Sequence, residues 1–383
     1  MLSITSVISW GSLFYAISVL IAPIERELGW SRDAIVGAFS LSMVCSGLAA
    51  YPVGTLIDRF GGRHVMAAGS VLASLMLLLL SQIDSLAVFY VTWIGLGIAM
   101  GAVLYDPAFT VITLSFGADA RKGITALTLA GGLASTVFWP LTQELISALG
   151  WRQAVMILAL LNFAVCAPLH WWGLPRIKAQ RHRDVSTATI IAGSQSIRHI
   201  VLTRQFMMLA ASFTANMLAF SAMSIHLIPL LFERGFAMSD AVWLAALVGP
   251  MQVVGRIGEY MVGARFRATQ VAMLAFVFLP VALVVLGTAG VNRWLILVFV
   301  VLYGASNGIM TIARGIIPAE VFGHDRYGAV NGALAAPVLA SRSLGPLVAA
   351  VIWSAAGGYN AVIWTLAACA VLSAISFSFA VKH

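Results

Sequence analysis

Apolar stretches of about twenty residues follow one another along almost the whole chain. A bilayer core of roughly 30 Å is crossed by about 20 helical residues. Lipid offers no hydrogen-bond partners, so stretches of this kind must be helices that satisfy their own backbone groups. We place spans at 4–23, 34–54, 65–83, 87–111, 123–148, 153–173, 206–231, 239–262, 270–289, 294–315, 328–353 and 359–380, which makes twelve. Charge content agrees, because only 9% of the 383 residues are charged and 61% are apolar. An ordinary soluble domain carries about 25% charge. A surface so poor in charge cannot be wetted, which excludes a soluble enzyme, a nucleic-acid binder and a disordered chain. The expected fold class is an all-α membrane protein, with twelve transmembrane helices in two pseudo-symmetric six-helix bundles.

Orientation follows from the Lys and Arg residues, which accumulate on the cytoplasmic side. With the N-terminus inside, fifteen of the 22 fall in cytoplasmic loops and five (Arg26, Arg32, Arg152, Arg234, Arg293) fall outside. Arg256 and Arg342 remain within spans. Both termini are therefore expected in the cytoplasm. The net charge of +8 reports those loops. The one long polar segment, 174–205, is read as a linker lying against anionic headgroups. It separates an N-terminal six-helix bundle, 1–173, from a C-terminal one, 206–383. Cys45, Cys166 and Cys369 lie in apolar stretches without metal-ligand spacing, so they read as small buried residues. No cleavable leader is expected, because the first apolar stretch lacks a basic segment before it.

The halves repeat. Shifted by 206 residues, Pro23 meets Pro229, Glu27 meets Glu233, Arg59-Phe60 meets Arg265-Phe266, Ser135 meets Ser341 and Pro140 meets Pro346. Each half has an even number of spans, so the repeats are parallel. Such repeats place a cargo site near the midplane, reached alternately from either side.

The loop after the second span reads Gly54-Thr-Leu-Ile-Asp58-Arg59-Phe-Gly61-Gly62-Arg63-His64. This resembles the loop signature of the major facilitator superfamily, in which a tight glycine turn brings an Asp and basic residues against neighbouring helix ends. The second copy, around Gly258 to Arg267, keeps Arg265 but has Ala264 in place of Asp58. Further matches are Ala22-Pro23, Glu27 to Arg32, Gly150-Trp151-Arg152 and Gly255-Arg256. These are similar to the monocarboxylate-porter-like branch, which carries small organic anions, usually with protons. The resemblance implies that Arg256 binds the substrate carboxylate. Two departures are plain: the branch's first-span Lys is missing from Tyr15 to Val19, and Gln252 stands where its eighth-span acid is expected. Resemblance to the drug/proton antiporter branch is poorer. No Arg lies between Phe89 and Pro107, and Trp139-Pro140 replaces its Gly-Pro.

An ionised group at the bilayer centre costs at least about 2.5–3.5 kcal/mol, so each intramembrane charge is a site candidate. Arg342 lies near the middle of its span, where a guanidinium would clamp a carboxylate with two parallel hydrogen bonds or else hold backbone carbonyls. Arg256 has Glu259 three residues on, so substrate binding and a structural ion pair are both open. Asp106 precedes Pro107, which suits a helix restart; it is also a candidate proton site, or a counter-charge to Arg314 for gating. His226 has the chemistry of a proton switch or of a satisfied interfacial residue. Tyr15, Asn216, Gln252, Tyr303 and Asn307 are polar groups that bond cargo or glue helices together. Asp58, Arg59 and Arg63 belong with the gating set.

There is no GxxxxGK phosphate loop and no His/Glu metal motif, so no catalytic residue, metal or cofactor is expected. The expected function is secondary active transport of a small organic anion, with protons as a candidate coupled ion, Asp106, Glu259 and His226 motivating that coupling. An efflux antiporter and an importer of a neutral or aromatic nutrient such as a vitamin stay open; Trp93, Trp139 and Tyr303 could stack a ring. The expected setting is the bacterial cytoplasmic membrane. Expected partners are a small molecule, protons and lipid, with no nucleic acid and a monomeric protein.

Overall fold

The computed structural model describes residues 1–116, 120–175, 200–262, 265–323 and 327–381. Most of the expected linker, with Arg176, Lys178, Arg181, Arg183 and Arg198, lies outside them, as do Ala264, Arg326 and Lys382. Twelve helices are long and apolar enough to cross a membrane. They are α1 Leu2–Leu28, α2 Arg32–Ile57, α3 Gly62–Leu80, α4 Leu86–Phe116, α5 Lys122–Leu149, α6 Trp151–Gly173, α7 Arg204–Glu233, α8 Met238–Glu259, α9 Ala268–Thr288, α10 Arg293–Phe322, α11 Val330–Ala356 and α12 Tyr359–Ala380. All twelve spans read from hydropathy are present, most of them a few residues longer.

Several spans are interrupted, and the interruptions have chemical causes. In α8 the helix stops at Ala246, turns at Leu247 and resumes at Val248. Pro250 has no N–H to give the Ala246 carbonyl four residues earlier. Thr136 supplies the missing donor, its Oγ1 lying 2.9 Å from that oxygen. In α4 the helix ends at Val103, Leu104 is extended, and a second helix runs Tyr105–Phe116. Pro107 cannot donate to the Val103 carbonyl, and Asp106 in the new first turn suits the positive end of the restarted helix. In α1 the stretch Trp10–Tyr15 is wound as a π-helix; a second π-helical stretch, Asn162–Cys166, lies in α6.

By packing, the chain divides into two compact units. The first is Met1–Gln180 with Ser224–Gly249; the second is Arg181–Met223 with Pro250–His383. The expected boundaries at 173 and 205 follow the repeat along the chain, whereas this division falls inside α7 and α8.

The first unit holds α1, α3 and α6 together through a buried polar seam. His170 lies with Nδ1 at 2.9 Å from Ser70 Oγ and Nε2 at 2.9 Å from Thr5 Oγ1. Asn162 donates to Ser12 Oγ at 2.8 Å, and Ser74 donates to the Ala159 carbonyl at 2.9 Å. Thr5, Ser9 and Ser12 face Asn162, Cys166 and His170 at helical spacing, a common way to join helices in lipid. The second unit uses similar links. Ser373 donates to the Ser212 carbonyl and Ser306 to that of Ala275, both at 2.7 Å. Phe276 stacks on Phe377 with centroids 4.2 Å apart.

In both units glycines let helices cross closely. A Cβ on Gly101 of α4 would lie 2.9 Å from the Ser46 carbonyl of α2. In the repeat-related crossing of α8 and α10, a Cβ on Gly308 would overlap the Gln252 carbonyl, and one on Gly255 would lie 2.8 Å from Ala305 Cα.

Candidate functional site

The restart of α4 exposes a polar face in the first unit. Asp106, Phe109, Thr110 and Thr113 recur at i, i+3, i+4 and i+7, and so share one helix face. Asp106 and Thr113 are exposed, Phe109 and Thr110 half-buried, while Ala108, Val111 and Ile112 on the opposite side are buried. Asp106 makes no side-chain hydrogen bond or ion pair among the described residues. It lies ten residues, or about 15 Å of helical rise, from Phe116 at the end of the span. A carboxylate within an apolar span is costly against lipid, and Asp106 is exposed on the protein surface.

A series of ring contacts leads away from this face into the unit. Tyr105 stacks on Phe109 with centroids 5.3 Å apart and planes at 7°. Tyr105 also approaches Trp10 at 4.9 Å. Tyr15 meets Trp139 edge-on at 5.3 Å, and Trp139 Nε1 donates to the Tyr15 carbonyl at 3.0 Å. Gly131 leaves room for the Tyr105 hydroxyl, against which a Cβ would collide. Trp93, Trp139 and Tyr303, considered for ring stacking on sequence grounds, are each about 2% exposed and pack inside their units. Sequence reasoning missed Trp10, Tyr105 and Phe109; the i, i+3, i+4, i+7 stripe around Asp106 was the available signal.

In the second unit, Gln252, Arg256 and Glu259 recur along one face of α8 and are 5%, 5% and 8% exposed. The glycine crossing with α10 holds this part of α8 close to Ala305. A guanidinium and a carboxyl almost out of water are thus fixed one turn apart. Arg342 on α11 is half-buried, as are Arg314 and Asn307 on α10. Asn216 on α7 is 1% exposed, and its Nδ2 has no partner among the described residues. Tyr303 donates to the Phe220 carbonyl at 3.1 Å and stacks on Phe299 at 5.2 Å. That is the helix-joining role its position also allowed.

His226 is fully buried in the first unit. The signature loop is built on Gly61, whose φ of +83° is open to glycine and closed to most side chains. Arg59 lies over the Phe60 ring at 5.1 Å, and Arg63 over Trp171 at 4.9 Å. Arg63 Nε is enclosed without a hydrogen-bond partner among the described residues. The Asp58 side chain lies outside the described residues.

At the opposite end of the first unit, Arg152 donates to Glu27 at 2.8 Å, to Asp84 at 2.6 Å, and to the carbonyls of Ser81 and Ile83 at 3.0 and 2.9 Å. Trp151 Nε1 donates to the same Glu27 at 2.6 Å. A crevice of about 360 Å³ also opens at this end, lined by Ser18, Ile21, Arg26, Ile228 and Phe232 among others, and beside it Arg32 pairs with Glu25 at 3.0 Å. No candidate residue from the sequence lines it. Among the described residues, no cluster of three His, Cys, Asp or Glu could hold a metal.

The family model described as Major Facilitator Superfamily matches residues 2–290. Monocarboxylate transporter 12-B of Danio rerio is 25% identical over 368 residues, covering 84% of this chain and 75% of that protein. Monocarboxylate transporter 12 of Xenopus laevis is 26% identical over 263 residues, covering 61% of this chain and 55% of that protein. The chain thus spans three quarters of the first relative's length and little more than half of the second's. The crystal structure of the nucleoside transporter NupG superposes with a TM-score of 0.77 at 15% identity, over 100% of this chain and 98% of that one. At that identity the likeness concerns the fold.

Proposed function

The chain belongs to the Major Facilitator Superfamily, and on that premise we propose that it is a secondary transporter of a small organic anion, of the carboxylate type. It is an integral multi-pass membrane protein of twelve spans. The observation that carries the proposed cargo is Arg256, a guanidinium 5% exposed within α8. A fixed charge so withdrawn from water is retained where an opposite charge meets it. Arg256 and Arg342 hold the carboxylate, each able to present two parallel N–H donors. Asn216 offers its amide nitrogen to a cargo oxygen, and Gln252, Tyr15 and Asn307 shape the fit. Transport proceeds by alternating access, in a bacterial cytoplasmic membrane and as a monomer. Protons are the coupled ion, with Asp106, Glu259 and His226 as the groups able to carry them. Relatives named as monocarboxylate transporters support the choice of anion.

The test is uptake of radiolabelled short-chain carboxylates into proteoliposomes, with and without an imposed pH gradient. Arg256→Lys is expected to lower uptake at least about tenfold, because an ammonium cannot reproduce the forked geometry, with Arg342→Ala at least as severe. Wild-type uptake in both variants would remove the anion assignment. Indifference to the gradient would remove the proton.

A further inference from the structure

We propose that the crevice at the Arg152 end of the first unit binds a small monoanion with an apolar body, of the short-chain aliphatic carboxylate class. This goes beyond the reading above: every residue lining the crevice belongs to the first unit, so the site draws on neither Arg256 nor Arg342. The crevice lies between the ends of α1 and α7, with Arg32 of α2 and Met238 of α8 also lining it. Arg26 and Phe232 are partners under the 206-residue repeat, so the repeat sets a cation on one helix end and a ring on the other. Phe232 is 50% exposed and Ala22 and Met238 are half-buried, beside the buried Ile21, Ile228 and Pro229. That apolar surface is what a hydrocarbon chain would cover, and about 360 Å³ falls within the range of roughly 300–1,000 Å³ found for small-molecule sites. The charges narrow the class further. Arg32 and Glu25 neutralise each other through two hydrogen bonds, of 3.1 and 3.0 Å. Glu233 has Arg234 beside it as an electrostatic partner. Arg26 donates from Nε to the Ala22 carbonyl at 3.2 Å, and its two Nη groups have no partner among the described residues. The crevice is therefore left with one positive charge bearing a pair of donors, whose complement is a carboxylate held by two parallel hydrogen bonds. Glu25 and Glu233 line the same crevice and oppose a second negative charge, which separates a monoanion from a dicarboxylate.

The experiment is a ligand-observed NMR titration of hexanoate against the purified full-length protein in nanodiscs of zwitterionic lipid, with empty nanodiscs subtracted. Hexanoate is expected to occupy a site that Arg26→Ala weakens about tenfold or more. Phe232→Ala is expected to weaken the same site several-fold. Both side chains are exposed, and the ligand-free thermal midpoint checks that each variant is folded. In competition, each CH₂ added between butanoate and hexanoate is expected to tighten this site about fourfold. The six-carbon dicarboxylate is expected to compete at least about tenfold more weakly than hexanoate. Anionic lipid in the nanodisc is expected to leave the site available. The proposal is overturned if Arg26→Ala leaves hexanoate binding unchanged, or if the dicarboxylate competes as well as hexanoate. It is overturned equally if anionic lipid abolishes the Arg26-dependent binding, since the crevice would then belong to lipid headgroups. Arg256→Ala separates this site from the cargo reading. Loss of the Arg26-dependent component in that variant would sink the present proposal, whereas hexanoate binding wholly unaffected by Arg256→Ala would sink the cargo reading alone.

Discussion

The helices α4 and α10 are the same element of the repeat, and they fold differently. Both end on a phenylalanine 206 residues apart, Phe116 and Phe322. Yet α4 breaks at Leu104, whereas α10 is continuous from Arg293 to Phe322. Asp106 and Pro107 of α4 correspond to Ile312 and Ala313 of α10. Pro318 lies within α10 without interrupting it, so proline alone is not the cause. What α4 adds is an acid just before its proline, and the two together favour starting a new helix over continuing the old one. The break sets a carboxylate, a ring and two hydroxyls on one face, while the matching positions of α10 are the apolar Ile312, Gly315, Ile316 and Ala319. A repeat can therefore set an architecture twice while two residues give one copy a chemistry the other lacks.

The strongest challenge to this comparison is to force the break where it is missing. Ala313→Pro introduces a proline where Ala313 is 1% exposed inside an unbroken helix. It is expected to destabilise the protein by about 3 kcal/mol or more, read as a clear fall in the thermal midpoint of the purified protein. A midpoint within error of wild type would mean that α10 is as ready to break as α4. Next comes the shared crossing. Gly308→Ala must displace the Gln252 carbonyl, at an expected cost of about 1–3 kcal/mol. Gly101→Ala, where the nearest atom is 2.9 Å away, is expected to cost less; the reverse order in denaturation midpoints would contradict the closer approach at Gly308. The smallest stability effect belongs to Pro107→Ala, expected within about 1 kcal/mol of wild type because it restores a helical donor. Its mark is functional: proton-driven uptake is expected to fall several-fold as Asp106 turns away, and unchanged uptake would separate the break from coupling.

The fold was legible because lipid imposes a length on every span, and twelve apolar runs of that length are hard to read otherwise. The fixed register of prolines and loop charges gave the repeat. Individual groups were less legible. Asp106 stood out as a charge in an apolar stretch, but Phe109, Thr110 and Thr113 are individually unremarkable and acquire meaning only as one face. The break before Tyr105 sets that face, and it depends on where a carbonyl loses its donor. Tyr303 illustrates the opposite difficulty. Its polar hydroxyl marked it as a ligand candidate, but only three-dimensional structure shows the Phe220 carbonyl waiting at 3.1 Å. The π-helical stretches of α1 and α6 have no signature that hydropathy would register, since winding changes while composition does not.

Arg152 fastens three stretches of chain that are far apart in sequence, using side-chain and main-chain oxygens together. A planar cation riveted at four points resists shear in a way that a single ion pair, free to swivel, does not. Four bonds from one planar cation thus hold that rim of the first unit in a single arrangement.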